Sequence, residues 1–304
     1  MHYIAPLQGH TDAPWRTWHH REYGGDLRYF TPFIRVEKGR ARPHDLRDFT
    51  SALNEGVNLT PQVIFSNADE LRLLLRELVA CGASSVNLNM GCPFPLQTSR
   101  GRGAGLLEHP ERLEALPDIV AEFAPLTFSV KMRVGCDDPS SWRRVIPILN
   151  RIPLEFVAVH PRTARQQYAG ALHLNEFQGI VAASAAPVLF NGDLRTPADI
   201  ADIFGRFPGI GGVMAGRGIL GRPSLYAEYD AGREWPLSER IERMLRLHDR
   251  ILEYYSATLC GDSQILSKIR PFWEYAEAEI GHKALKAIRK AGTMPKYRAA
   301  LALL

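Results

Sequence analysis

Long apolar runs are missing from this 304-residue chain. None approaches the about 18 consecutive apolar residues that a membrane-spanning helix needs. The opening Met1-His-Tyr-Ile-Ala-Pro6 lacks a basic stretch followed by an apolar core, so no secretory leader is expected there. Cysteine is scarce. Cys81, Cys92, Cys136 and Cys260 lie too far apart for a disulfide framework or a zinc site. These absences point to a cytoplasmic protein with free thiols, no metal and no membrane contact. Net charge is absent from the first 235 residues. Residues 236–304 hold 12 Lys and Arg against 8 Asp and Glu, which equals the whole-chain value of +4. A neutral body with a basic tail fits a polyanionic partner, although a solvated helix face has the same composition.

What is present is a regular alternation. Eight strand-length apolar runs, at residues 3–7, 29–36, 62–65, 85–89, 127–133, 155–160, 187–191 and 212–216, are separated by stretches of helical period. Strands apolar on both faces must be covered by helices, as in a parallel sheet. Eight such units favour a closed (β/α)8 TIM barrel over an open sheet. Helices are expected over 69–80, where leucines recur at i, i+3, i+4 and i+7 with Asn67 as cap, over 110–123, and over 196–204 behind Thr196. After residue 229 the pattern changes to helices at 239–255 and 263–291 without a convincing strand. The expected domains are a catalytic barrel, 1–235, and a small helical domain, 236–304, packed against it.

Residues that look out of place in their strands gather near strand C-termini, where barrels build active sites. Gln62 opens the third strand, and Asn89 and Cys92 end the fourth. The Gly91-Cys-Pro93 turn fixes the backbone that carries the thiol. Lys131 lies among Phe128, Val130 and Met132, where an ammonium is costly unless paired or used. Strand alternation puts it on one face with Ser129 and Arg133, which implies a polar cavity. His160 is expected to end the sixth strand in a polar turn, His160-Pro-Arg-Thr163. Asn191-Gly-Asp193 and Gly216-Arg-Gly218 offer glycine amides and Arg217 after strands seven and eight, where barrels often bind phosphate. In the tail, Lys283, Lys286 and Lys290 recur at i, i+3 and i+7 with Arg289 beside them.

Together these residues resemble the dihydrouridine synthase family, flavoenzymes that reduce uridines in tRNA. Ala5-Pro-Leu-Gln-Gly-His-Thr-Asp12 is similar to the family's Ala-Pro-Met-x-Gly-x-Thr-Asp start. Asn87-Leu-Asn-Met-Gly-Cys-Pro93 with Gly103-Ala-Gly-Leu-Leu107 looks like its catalytic-loop signature. Val130-Lys-Met-Arg-Val-Gly135, Val159-His-Pro-Arg-Thr163, Asn191-Gly-Asp193 and Gly216-Arg-Gly218 follow in the family's order. The chain departs from the pattern at Leu7 and Gln8, at His-Pro-Arg for His-Gly-Arg, and at Pro93-Phe-Pro95, which lacks a Lys often found there.

The resemblance implies FMN at the barrel mouth, reduced by NADPH. Its phosphate would lie near Gly192, Gly216 and Arg217, with Asn191, Asp193, Pro6 and Leu7 also around the cofactor. Gln62, Lys131 and His160 would contact the isoalloxazine ring. Hydride would pass from flavin N5 to uracil C6, and Cys92 would protonate C5. Asn89, Arg100, Arg102 and Arg162 would meet the substrate, and Lys283, Lys286, Arg289 and Lys290 the tRNA backbone. A monomer is expected. The rivals are a flavin barrel that reduces a small pyrimidine or enone, and an RNA-binding barrel without activity.

Overall fold

In the computed structural model, which describes residues 1–304, the alternating runs become a closed parallel barrel. Its strands are β1 (His2–Ile4), β2 (Leu27–Phe30), β3 (Ile34–Glu37), β4 (Arg40–Ala41), β5 (Leu59–Thr60) and β6 (Gln62–Ile64). They continue as β7 (Ser85–Met90), β8 (Thr127–Gly135), β9 (Leu154–Thr163), β10 (Val188–Phe190) and β11 (Gly212–Ala215). Closure is direct: β11 pairs with β1, placing Tyr3 opposite Met214 and Ile4 opposite Ala215.

Proline accounts for the extra strands. The expected run 29–36 is split at Pro32 into β2 and β3, and Pro61 divides β5 from β6. A proline gives the ladder no N–H, so each of these two strands is interrupted and its halves pair separately. β5 pairs with β2, whereas β6 pairs with β3 and β7. The short β4 is an antiparallel return of β3. The sixth strand is longer than expected. β9 continues through His160-Pro161-Arg162 to Thr163, so the polar turn expected after His160 is strand, with a register irregularity between Arg133 and Gly135 of β8 beside Pro161.

Helices form largely where the periodicity puts them. Ala68–Ala80 starts behind Asn67, whose side chain accepts from Glu70 N, and turns Leu71, Leu74, Leu75 and Leu78 inward. Pro197–Arg206 has a reciprocal capping box between Thr196 and Asp199. The expected helix 110–123 is instead a 3-10 turn, Pro110–Leu113, and a helix, Leu116–Glu122, because Pro117 cannot continue the first. The expected helix 263–291 is broken twice. Pro271 lies in a 3-10 turn, Arg270–Trp273, and Gly281 takes φ 77° inside Glu277–Lys290. The long helix Leu237–Thr258 is continuous.

Three layers fill the barrel along its strands. At the strand N-termini, Arg28 is bound by Glu155 and Thr60. Above it, Ala5, Phe30, Phe156, Ala158, Leu189 and Met214 form a small apolar plug. Past the plug the interior is polar. Outside, 65 buried residues form one core between sheet and helices, and it runs on into the tail through Met244, Ile251, Trp273, Leu285 and Tyr297. Tyr297 anchors that tail: its hydroxyl meets Trp273 Nε1 at 2.8 Å and His248 Nε2 at 2.7 Å.

A shared core makes tail and barrel unfold together. Trp273→Ala removes a wholly buried ring and is expected to cost about 3–5 kcal/mol. In urea titrations followed by far-ultraviolet and tryptophan signals, both midpoints should fall together. Separate transitions would show that the tail is an independent unit.

Candidate active site

The polar end of the barrel opens into a cavity of about 320 Å³. Pro6, Leu7, Gln62, Asn89, Cys92, Lys131, His160, Asn191, Gly192, Asp193, Gly216 and Arg217 all line it, from seven different strands or the segments after them. Register explains the convergence. Lys131 pairs across to Asn89, Gln62 to Asn87, and Arg133 to His160, so successive levels of the inward-facing side collect the polar side chains. On the face predicted from Ser129, Lys131 and Arg133, the last two line the cavity and Ser129 lies buried beneath it.

A chain of amides ties this wall together. Asn89 Nδ2 donates to Gln62 Oε1 at 2.7 Å, Gln62 Nε2 to Asn87 Oδ1 at 2.8 Å, and Asn87 Nδ2 to Ser129 Oγ at 2.8 Å. Asn89 Oδ1 in turn accepts from the N–H groups of Gly91 (3.0 Å) and Cys92 (2.9 Å). The strand-end turn is therefore held by a side chain of its own strand. Cys92 is 7% exposed, and burial pushes its thiol pKa up against the opposing pull of the Phe94 amide, Arg133 and Lys131. At neutral pH it is a protonated thiol.

The cations divide into committed and free. Arg133 donates to the carbonyls of Gly91, Thr163 and Gln167 at 2.7–3.0 Å through Nε and Nη1, which leaves Nη2 without a protein partner. Burial lowers its pKa to about 10, so it stays charged. Lys131 makes no hydrogen bond or ion pair within the protein. Burial, then the nearby Arg133 charge, brings its pKa down to about 7. His160 is buried, and burial together with Arg133 and Lys131 keeps its pKa well below the usual value. Arg162 Nη1 donates to His160 Nε2 at 3.3 Å, so the neutral ring carries its proton on Nδ1.

Asp193 sits at φ 45° between two guanidinium groups, Arg162 at 2.5 Å and Arg217 at 3.1 Å. Burial opposes its charge, but the Arg162 hydrogen bond and both cations hold its pKa below the usual carboxylate value. The backbone N–H groups of Gly192, Asp193 and Gly216 have no partner in the protein. Gly218 lets the last loop close onto strand seven: a Cβ there would lie 1.7 Å from the Leu194 carbonyl oxygen.

Three expected substrate contacts lie elsewhere. Arg102 is buried beside Glu70, which receives both its Nε and Nη2, so it clamps the loop that follows Cys92. Arg162 is buried under the cavity, holding Asp193, His160 and the Gly170 carbonyl. Arg289 is exposed but reaches back to the Glu274 carbonyl at 3.2 Å. Arg100, Lys283, Lys286 and Lys290 are exposed and carry no ion pair.

The cavity also contains residues with no role assigned from the sequence: Arg133, Phe94, Tyr168, Glu274 and Tyr275. Tyr168 spreads over the Arg217 guanidinium, 4.2 Å from its ring centre. Glu274 and Tyr275 come from the tail. They reach the mouth because Gly221 admits the Tyr275 carbonyl, 2.5 Å from where a Cβ would stand.

A model of the family described as dihydrouridine synthase matches residues 3–295. The chain belongs to the dihydrouridine synthase family. A probable tRNA-dihydrouridine synthase of Rhodobacter capsulatus is 26% identical over 304 residues, covering 98% of this chain and 93% of that protein. Human tRNA-dihydrouridine(20a/20b) synthase [NAD(P)+]-like is 28% identical over 234 residues, 74% of this chain and 70% of its own. Among solved structures, morphinone reductase superposes with TM-score 0.53 at 10% identity, over 76% of this chain and 86% of that one. Old yellow enzyme from Trypanosoma cruzi gives 0.50 at 11%, over 77% and 88%. These likenesses show the fold alone, a parallel barrel with helices around it.

The free ammonium has a signature in stability. An unfolded lysine titrates near 10.4, so between about pH 7 and pH 10 the folded ligand-free protein binds fewer protons at Lys131 than the unfolded chain. Stability therefore rises with pH through that window. Relative to Lys131→Met, the wild type should gain about 2 kcal/mol between pH 7 and pH 9, read from urea midpoints. A pH-independent difference would mean that the ammonium is paired.

Proposed function

We propose that the protein reduces uridine to 5,6-dihydrouridine in tRNA, with FMN as cofactor and NADPH as reductant. The observation that carries this reading is a protonated thiol held by Asn89 in the wall of a cavity that also presents an unpaired ammonium. The residues fit the cofactor. Unpartnered N–H groups at Gly192, Asp193 and Gly216, with Arg217 beside them, suit a phosphate. Gln62, Lys131 and the Nδ1–H of His160 suit the polar edge of a flavin ring, flanked by Pro6 and Leu7.

FMN, when bound, supplies the hydride that NADPH gives it. Lys131 would stabilise the negative charge that the ring gains on reduction. On the substrate side, charge developing across C5 and O4 of uracil must be quenched. The Cys92 thiol holds the proton that C5 needs, and Arg133 Nη2 and the second Asn89 N–H are free to meet uracil carbonyls. Arg100, Lys283, Lys286 and Lys290 would meet the RNA backbone. Reduction of a free pyrimidine or enone leaves those cations without use.

The direct test is incubation with NADPH and an unmodified tRNA transcript, then analysis of nucleosides for dihydrouridine. Cys92→Ala should keep bound flavin and its reduction by NADPH, while tRNA reduction falls by ~10²–10⁴-fold. Near-normal product from that variant would remove the thiol from the mechanism. Changing Lys283, Lys286 and Lys290 to Ser, with Arg289 left to brace Glu274, should weaken tRNA binding and flatten its salt dependence. Each lost phosphate contact should take about 0.7–0.9 from the log–log slope. Equal slopes for variant and wild type would mean that this face is not the RNA surface.

A further inference from the structure

The Pro93-Phe-Pro95-Leu96 segment puts large apolar side chains where solubility disfavours them. Phe94 is 55% exposed and Leu96 74%. Seven large apolar side chains in the molecule are exposed, and three of them, Phe94, Leu96 and Tyr168, sit on the loops around the cavity mouth. Phe94 lines the cavity itself, two residues from the thiol of Cys92.

This tip is rigid. Prolines flank Phe94 on both sides, and its carbonyl accepts from Gln97 N (2.8 Å) and Thr98 N (3.0 Å). Asn89 holds the loop at one end. At the other, Arg102 is fixed by Glu70 and Ala104 N donates to the Cys92 carbonyl at 3.1 Å. Gly103, at φ 57°, is required because a Cβ would approach Cys92 Cβ to 2.8 Å. An exposed aromatic ring on a loop held this firmly loses little conformational entropy when it is covered.

We propose that Phe94, with Leu96 beside it, is a wedge that stacks on the nucleobase next to the uridine being reduced and holds that uridine out of the RNA stack. The inference rests on the RNA reading above and adds a specificity-determining residue to it. A uracil ring inside the cavity has left its stack, and its covalent neighbours must stay at the rim, one phosphate away. Unstacking costs a few kcal/mol, and an apolar side chain against the exposed neighbour offsets part of that cost. The unpaired, exposed Arg100 follows on the same loop, which supplies a cation for the adjoining phosphate. An aromatic tip next to a free cation suits a base and its backbone.

The test uses the purified holoenzyme and a tRNA transcript on which the wild type forms dihydrouridine. Without product from the wild type the function itself fails, and the wedge is overturned with it. With product, Phe94→Ala should lower kcat/KM for tRNA by about 10- to 100-fold, measured relative to NADPH oxidation by the same preparation. Phe94→Trp should restore it to within about threefold, because stacking needs an aromatic face rather than phenylalanine itself. With 2-aminopurine placed beside the mapped uridine, fluorescence should be quenched on binding wild type and the Trp variant but not the Ala variant. An unchanged kcat/KM in Phe94→Ala overturns the wedge. So does an equal loss in NADPH oxidation, which would assign Phe94 to the reductant.

Discussion

The carboxamide of Asn89 is the constraint on which the site depends. Its oxygen accepts two backbone N–H groups of the Gly91-Cys92 turn, and its nitrogen feeds a one-way series of donors through Gln62 and Asn87 to the Ser129 hydroxyl. Each amide in such a series polarises the next. The turn that carries the thiol is thereby fixed to the barrel wall across β6, β7 and β8, and not to a mobile loop. Replacing any member leaves a buried polar group unpaired, at a cost of about 1–3 kcal/mol. Sheet register then decides everything else in the layer: Lys131 is opposite Asn89, and His160 is opposite Arg133.

Two cations on one strand have opposite uses. Arg133 and Lys131 share a face of β8, yet Arg133 satisfies three backbone carbonyls while Lys131 satisfies none. A planar guanidinium suits several fixed acceptors, whereas a flexible ammonium suits a single ligand atom. Arg133 also depresses the Lys131 pKa. The site therefore stores an unfavourable charge that an electron-rich ligand relieves, which would favour the reduced form of the proposed flavin over the oxidised one.

Much of this was legible in the chain. The eight apolar runs, the polar face of Ser129, Lys131 and Arg133, and the strand-end positions of Cys92 and Asn191 to Asp193 follow from strand alternation alone. Tertiary partners were not legible. Arg100 and Arg102 look alike two residues apart, but Glu70, 32 residues upstream, takes only the second. Arg162 is taken by Asp193 in the same way. Proline positions were visible in the sequence, yet their effect depends on whether the missing N–H was needed, so Pro32 splits a strand while Pro161 is absorbed at a register shift. Glu274 and Tyr275 carry no local signal at all, because their place at the mouth is set by where the tail docks.

That docking joins the two halves of the proposed reaction. The Tyr275 carbonyl is packed on Gly221, just after the strand-eight loop, and Tyr255 OH donates to Asp12 Oδ2 at 2.6 Å beside the first loop. His10, on that same first loop, faces Glu274 at 3.4 Å and the Tyr275 ring. Arg289, on the helix that presents Lys286 and Lys290, reaches back to the Glu274 carbonyl. The basic helix and the cavity mouth are thus two ends of one packed unit with a common core. Binding energy gathered on the lysines then needs no hinge to act at the thiol. On the proposed reading, RNA held on the helix would fix which nucleotide can reach the mouth, so remote contacts would contribute to orientation at the reacting atoms.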